Sequence, residues 1–259
     1  MTSRLARGAL GAAAFVLLAV GPAAAQEKLV GTYGEARILL GFKVSETAIQ
    51  KIVPDGWESS PVAAGPSKGA NLFATFVDQL TVQDPDGKPS VTIRIAAINF
   101  PAKKKGTEAT VPMVYAGFAS DSSYVPGAYG TFGLAKAALN RDTRIDPTGK
   151  STTEESWEFR ADNGEFIRLQ VLYDRGVAAL GKAETKVYSA VTPDFYRIYR
   201  IQQAVDAVRS TSAGTDQVKK LVFEASGAKL SPLFDGSHQV VSVISLPWYW
   251  RQVFLPVTQ

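Results

Sequence analysis

The sequence predicts a mainly β protein, a β-rich α+β chain folded as a single domain, and three observations carry that prediction. Short runs of alternating, β-branched and aromatic residues recur along the chain, turn-forming residues separate them, and segments with a helical period are scarce. Many short strands divided by turns form a barrel or a sandwich. A helical architecture would need repeated amphipathic stretches at a period of 3.6, and this chain lacks them.

The first twenty-five residues stand apart from that pattern. Arg4 and Arg7 form a basic start, Ala9 to Val20 an apolar core, and Pro22 to Ala25 a small-residue end before Gln26. This is the pattern of a secretory signal peptide, with a core too short for the roughly 20 residues of a membrane-spanning helix. The expected division is therefore a leader at residues 1–25 and one folded domain at 26–259. The expected location is periplasmic or secreted, with no membrane insertion once the leader is cleaved.

Within the domain, Glu35 to Glu58 is the most informative stretch. Ile38, Leu40 and Phe42 alternate with Arg37, Leu39 and Gly41, as in a strand with one buried face. Ser45 stands where it can N-cap a short helix over residues 46–53, with Ala48, Ile49, Ile52 and Val53 on one face. Pro54 ends that helix. A strand over residues 70–82 follows, then Asp84-Pro-Asp-Gly87 with type I turn chemistry, then a strand over 91–100. Residues 157–160 and 166–173 flank Ala161-Asp-Asn-Gly164, a hairpin signal. Further strands are expected at 196–201, 219–224 and 238–246, and residues 202–209 read as one or two helical turns.

Composition narrows the function classes. Apolar residues make up 46% and aromatic residues 10% of the chain, enough for a sizeable core. The formal charge of +4 includes Arg4 and Arg7, so the domain carries +2 and no electrostatic footprint for nucleic acid. Lys103-Lys104-Lys105 is one short basic run beside Pro101 and Gly106, as in a solvated loop tip. With no cysteine, neither a disulfide nor a lipid-anchored cysteine is available. A single histidine, His238, cannot build a multi-histidine metal centre, and no carboxylates are spaced for one, so no metal is expected. Ser226-Gly-Ala-Lys229 has the spacing of a serine acyl-enzyme motif without its companion motifs.

Three blocks, in order along the chain, carry a family resemblance. They are the strand and helix ending in Val53-Pro54-x-x-Trp57-Glu58, the run Tyr129-Gly-Thr-Phe-Gly-Leu-Ala-Lys136-Ala137, and the closing segment Ser237 to Pro256. Together with the strand–turn–strand at 156–176, they resemble the acetoacetate decarboxylase-like superfamily. The resemblance implies a single-domain antiparallel β-barrel with a few short helices and a central cavity, and no cofactor. It implies a small-molecule carboxylate or keto acid as partner, and it leaves homo-oligomer assembly open.

In that family a lysine in a Gly-aromatic-Pro-Lys-Lys run forms a Schiff base, made nucleophilic by desolvation and a cationic neighbour. The resemblance places Lys136 at that position, in the apolar run Phe132 to Leu139. A one-residue slide would put Ala135 there instead. The proline is absent and position 137 is alanine, so the second lysine of the motif is missing. Gly34 precedes Glu35 where the family has an arginine, and residues 91–100 hold no acid, only Arg94.

Thr92, Arg94, Ala96 and Ile98 share one face of that strand. If it is the cavity face, Arg94 is a substrate-binding residue suited to an anion. The leading expectation is an exported binding protein whose family catalytic residues are largely replaced. The alternatives are a Schiff-base carbon–carbon lyase using Lys136 and a lipocalin-like carrier of apolar ligands.

Overall fold

The computed structural model describes residues 27–256, so the leader at 1–25 lies outside the described residues. In chain order the elements are β1 (Glu27–Lys43), a short helix α1 (Glu46–Gln50), β2 (Trp57–Ser59), β3 (Leu72–Gln83), β4 (Arg94–Lys104) and β5 (Thr110–Ala119). After one 3-10 turn (Ser122–Tyr124) come β6 (Phe132–Leu134), β7 (Lys136–Ile145), β8 (Ser151–Arg160) and β9 (Phe166–Asp174). The remainder is β10 (Ala179–Ser189), β11 (Tyr196–Ser210), β12 (Thr215–Asp216), β13 (Val218–Ser226) and β14 (Gln239–Pro256).

The seven strands β4-β3-β1-β14-β11-β10-β5 form a closed barrel, because β5 pairs with both β4 and β10. Its backbone is the long antiparallel pair β1 and β14, which run against each other from Glu27↔Pro256 to Lys43↔Gln239. Closure departs from the expected antiparallel order at one seam. β5 meets β10 in parallel, at Met113↔Tyr188 and Val114↔Ser189. Between those two strands the chain builds β7, β8 and β9 of a separate four-stranded sheet, and β13 completes it later in the chain, in the order β13-β9-β8-β7.

That second sheet covers one flank of the barrel, and the main hydrophobic core lies between them. Ile38, Leu40 and Phe42 point outward from the barrel into this core, as their period-two spacing predicts, and all three are fully buried. They meet Trp157, Phe159, Leu169 and Val171 of the smaller sheet. Phe76 lies 5.6 Å from Trp157, and Phe42 lies 4.9 Å from Phe223, ring centre to ring centre. The opposite face of β1, carrying Tyr33, Arg37 and Leu39, is left for the barrel interior.

Local expectations met mixed outcomes. The Asn-Gly hairpin forms between β8 and β9, with Gly164 at φ +88°, a left-handed conformation that glycine adopts without cost from a Cβ. The helix is shorter than expected, ending at Gln50, and the Ser45 side chain makes no capping hydrogen bond. The Ser45 carbonyl instead accepts from the Ala48 and Ile49 amides, and residues 51–53 form a turn before Pro54. Ile49 is fully buried while Ile52 is only partly so.

Residues 202–209 are strand, not helix. β11 pairs with β10 on one side and β14 on the other, and two satisfied ladders outweigh local propensity. Among the described residues no helix is long and apolar enough to cross a membrane.

Candidate functional site

The barrel interior holds a cavity of about 240 Å³ with two unlike walls. Alternation along β1, β14 and β11 supplies a polar wall: Tyr33 and Arg37, Tyr249 and Arg251, Arg197 and Tyr199. The facing wall is apolar, built from Val77 of β3, Ile95 and Ala97 of β4, Val114 of β5 and Val187 of β10. Ala128, Tyr129 and Phe132, from the segment leading into β6, add to the lining.

Glu35 anchors the polar wall. Register shifts in β1 beside Glu35, against both β14 and β3, mark bulges of the kind that re-aim side chains within a ladder. Its carboxylate is sealed from solvent and accepts from Arg251 Nη2 at 2.9 Å and Arg37 Nε at 2.6 Å, with Arg37 Nη2 in further contact. Burial alone would raise the Glu35 pKa, but the Arg251 and Arg37 charges and hydrogen bonds outweigh it and hold the carboxyl below its usual range.

Aromatic faces hold the guanidiniums in place. Arg37 Cζ lies 3.6 Å from the Tyr249 ring centre, and Arg251 Cζ lies 4.7 Å and 4.5 Å from the Tyr33 and Tyr199 rings. The Tyr129 hydroxyl donates to the Tyr199 hydroxyl at 2.7 Å. Burial first, and then the neighbouring Tyr199, push the Tyr129 phenol well above its usual value, so it remains a neutral donor at pH 7.

The polar wall and the carboxylate behind it thus bring together three guanidiniums, of which Arg37 and Arg251 engage Glu35. Arg251 is more than nine-tenths buried, yet its Nε–H has no partner, and neither has the buried Nε–H of Arg197. A buried N–H without an acceptor is costly, and a charged one more so. The arrangement has the charge and the free donors to take up an oxyanion.

Neither residue singled out from the sequence belongs to this cavity. Lys136 opens β7, an edge strand of the smaller sheet, with its side chain 89% exposed and its ammonium 3.5 Å from Asp162. Of the run 129–137, Tyr129 and Phe132 line the cavity, while Ala135 is buried in the outer core. Arg94 lies on the face of β4 shared with Ala96 and Ile98, which turns toward the smaller sheet. The cavity face carries Ile95, Ala97 and Asn99.

Arg94 is tied to Asp78 at 3.0 Å, and Arg141 bridges Asp78 to Glu155. Among the described residues, none of those lining the cavity is a lysine. His238 packs edge-on against Phe42 and Phe234, a structural setting.

Sequence reasoning passed over Glu35, Arg37, Arg197 and Arg251. A signal existed: Tyr33-x-Glu35-x-Arg37, Arg197-x-Tyr199 and Tyr249-x-Arg251 place polar and charged groups at every second position of long strands.

Several solved structures are similar to this fold along most of the chain. One is the enduracididine biosynthesis enzyme MppR complexed with pyruvate, at TM-score 0.56 and 10% identity over 95% of this chain and 96% of that one. A second is an acetoacetate decarboxylase-like enzyme from Sphingomonas wittichii RW1, at TM-score 0.56 and 12% identity over 95% and 100%. The chain has the acetoacetate decarboxylase-like fold. An acetoacetate decarboxylase from Legionella pneumophila aligns at TM-score 0.50 and 11% identity over 88% of this chain and 85% of that one.

No family model and no curated protein matches the sequence. Identity this low shows a shared fold and carries no residue roles. Within the acetoacetate decarboxylase-like barrel, this chain's interior is defined by its own arginines and tyrosines.

Proposed function

We propose that this acetoacetate decarboxylase-like protein binds a small carboxylate, keto acids included, in the barrel cavity, with the carboxylate on Arg197 and Arg251. One observation carries the reading. Arg197 and Arg251 both line the cavity with a buried Nε–H that has no acceptor, and the one carboxylate of this wall is already engaged by Arg251 and Arg37. A guanidinium offers a planar fork suited to a carboxylate, and bonds to charged groups are the stronger ones. The pyruvate complex of the enduracididine enzyme has the same fold and a ligand of this chemical class, which supports the choice.

The reading does not include imine chemistry. A Schiff-base lysine must be enclosed to become a neutral nucleophile, and Lys136 is at the surface beside Asp162. The leader pattern in residues 1–25 supports a periplasmic or extracellular setting for this binding. Mass spectrometry of the exported protein would find a mature N-terminus at or near Gln26.

Calorimetric titration with pyruvate and acetoacetate tests the binding. Arg197→Met removes one guanidinium without breaking the Glu35 pairs, and should weaken binding by about 1.5–3 kcal/mol, a loss of roughly 10- to 160-fold. Unchanged affinity in this variant would exclude Arg197 from the site.

A further inference from the structure

We infer that the cavity's preferred occupant is a monocarboxylate with an apolar body, a short alkyl or aryl acid, rather than a compact keto acid. This rests on the carboxylate reading above. The first ground is the division of the walls. Charge and hydrogen-bond donors gather on β1, β11 and β14, while Val77, Ile95 and Val114 face them, with Phe132 at the side. A bound acid that places its carboxylate on Arg197 and Arg251 must direct its remainder toward those apolar groups.

The second ground is what that opposite wall offers an oxygen. Its polar side chains are Thr75, Asn99 and Thr185, all uncharged, with Asn99 Nδ2 donating to Thr75 Oγ1 at 3.2 Å and Thr185 Oγ1 to the Lys186 carbonyl at 3.5 Å. A keto oxygen sent there gives up water without a charged donor in return. The third ground is size. A cavity of 240 Å³ has room for about eight water-sized groups at roughly 30 Å³ each. The carboxylate group accounts for three, and pyruvate leaves part of the apolar wall uncovered.

Calorimetric titration of the purified protein with acetate, butanoate, hexanoate, pyruvate and the uncharged hexanamide tests this without altering the chain. The expected result is affinity rising about fourfold per methylene from acetate to hexanoate, the equivalent of ~0.8 kcal/mol per buried CH₂. Hexanoate should bind at least tenfold more tightly than pyruvate, and hexanamide should not bind measurably.

A flat series, with pyruvate equal to or tighter than hexanoate, would overturn the apolar-body inference and leave carboxylate binding standing. Hexanamide binding as tightly as hexanoate would overturn both and make the barrel a carrier of neutral apolar molecules. Binding of none of the acids would likewise overturn both.

Discussion

Glu35 and Arg251 are 216 positions apart in the chain, and inside the barrel Arg251 Nη2 donates to Glu35 Oε1 at 2.9 Å. The pair joins the first long strand to the last, deep in a wall that also holds Arg37. Removing one partner of such a pair leaves an uncompensated buried charge. Glu35→Ala should therefore cost about 3–5 kcal/mol in denaturant unfolding. A loss below 1 kcal/mol would mean that water or an anion already screens these guanidiniums.

The same carboxylate sets an acid limit on stability. Its pKa is lower folded than unfolded, where the ordinary value is 4.5. Its contribution is thus complete above pH 4.5 and is lost as the pH falls through the lower folded value. Unfolding free energies measured from pH 7 down to pH 3 should drop more steeply for the wild type than for Glu35→Gln, which has no proton to take up at this position. Parallel profiles would refute the linkage.

The short helix gives a paired test of packing. Ile49 is fully buried against the main core, and truncating it to alanine should cost about 2–5 kcal/mol. Ile52, in the turn beyond the helix, buries less surface and should lose about half as much or less. Equal losses at both positions would mean that residues 51–53 pack more tightly in solution.

Gly117 of β5 pairs with Ala97 of β4. Its φ is +151°, and a Cβ there would stand 2.2 Å from the Ala96 carbonyl oxygen. Gly117→Ala should destabilise by more than about 1 kcal/mol, since the backbone must shift. At Gly181 the nearest atom to an added Cβ is 4.0 Å away, and Gly181→Ala should be neutral or slightly stabilising. Thermal melts of both variants check the contrast.

Lys136 gives a chemical test. Incubation with acetoacetate or pyruvate and borohydride, followed by peptide mapping, should yield no specific adduct at this residue. A stoichiometric adduct lost in Lys136→Ala would restore the Schiff-base reading and require β7 to rearrange around an enclosed amine.

Much of the architecture is legible in the residues. Ile38, Leu40 and Phe42 declare a strand with one buried face because side chains alternate at period two whatever the strand pairs with. Asn163-Gly164 declares a hairpin because few residues adopt the positive φ it needs. The order of these blocks was enough to reach the fold. Residues 202–209 went the other way, since hydrogen bonds to β10 and β14 are non-local and leave no mark on the segment's own composition.

The site depended on tertiary structure for the same reason. The apolar run Phe132 to Leu139 looks like an enclosure for Lys136, but β7 lies at a sheet edge, where every second side chain meets solvent. Arg94 was placed on a face by its spacing, yet nothing in the strand says which face the barrel turns inward. The smaller sheet decides that by covering Ala96 and Ile98. The meeting of Glu35, Arg37 and Arg251 requires closure of the first strand on the last, and a bulge that only paired neighbours create. Periodicity is local and could be read from the chain. Which side is inside, and which charges share it, is a property of the closed barrel alone.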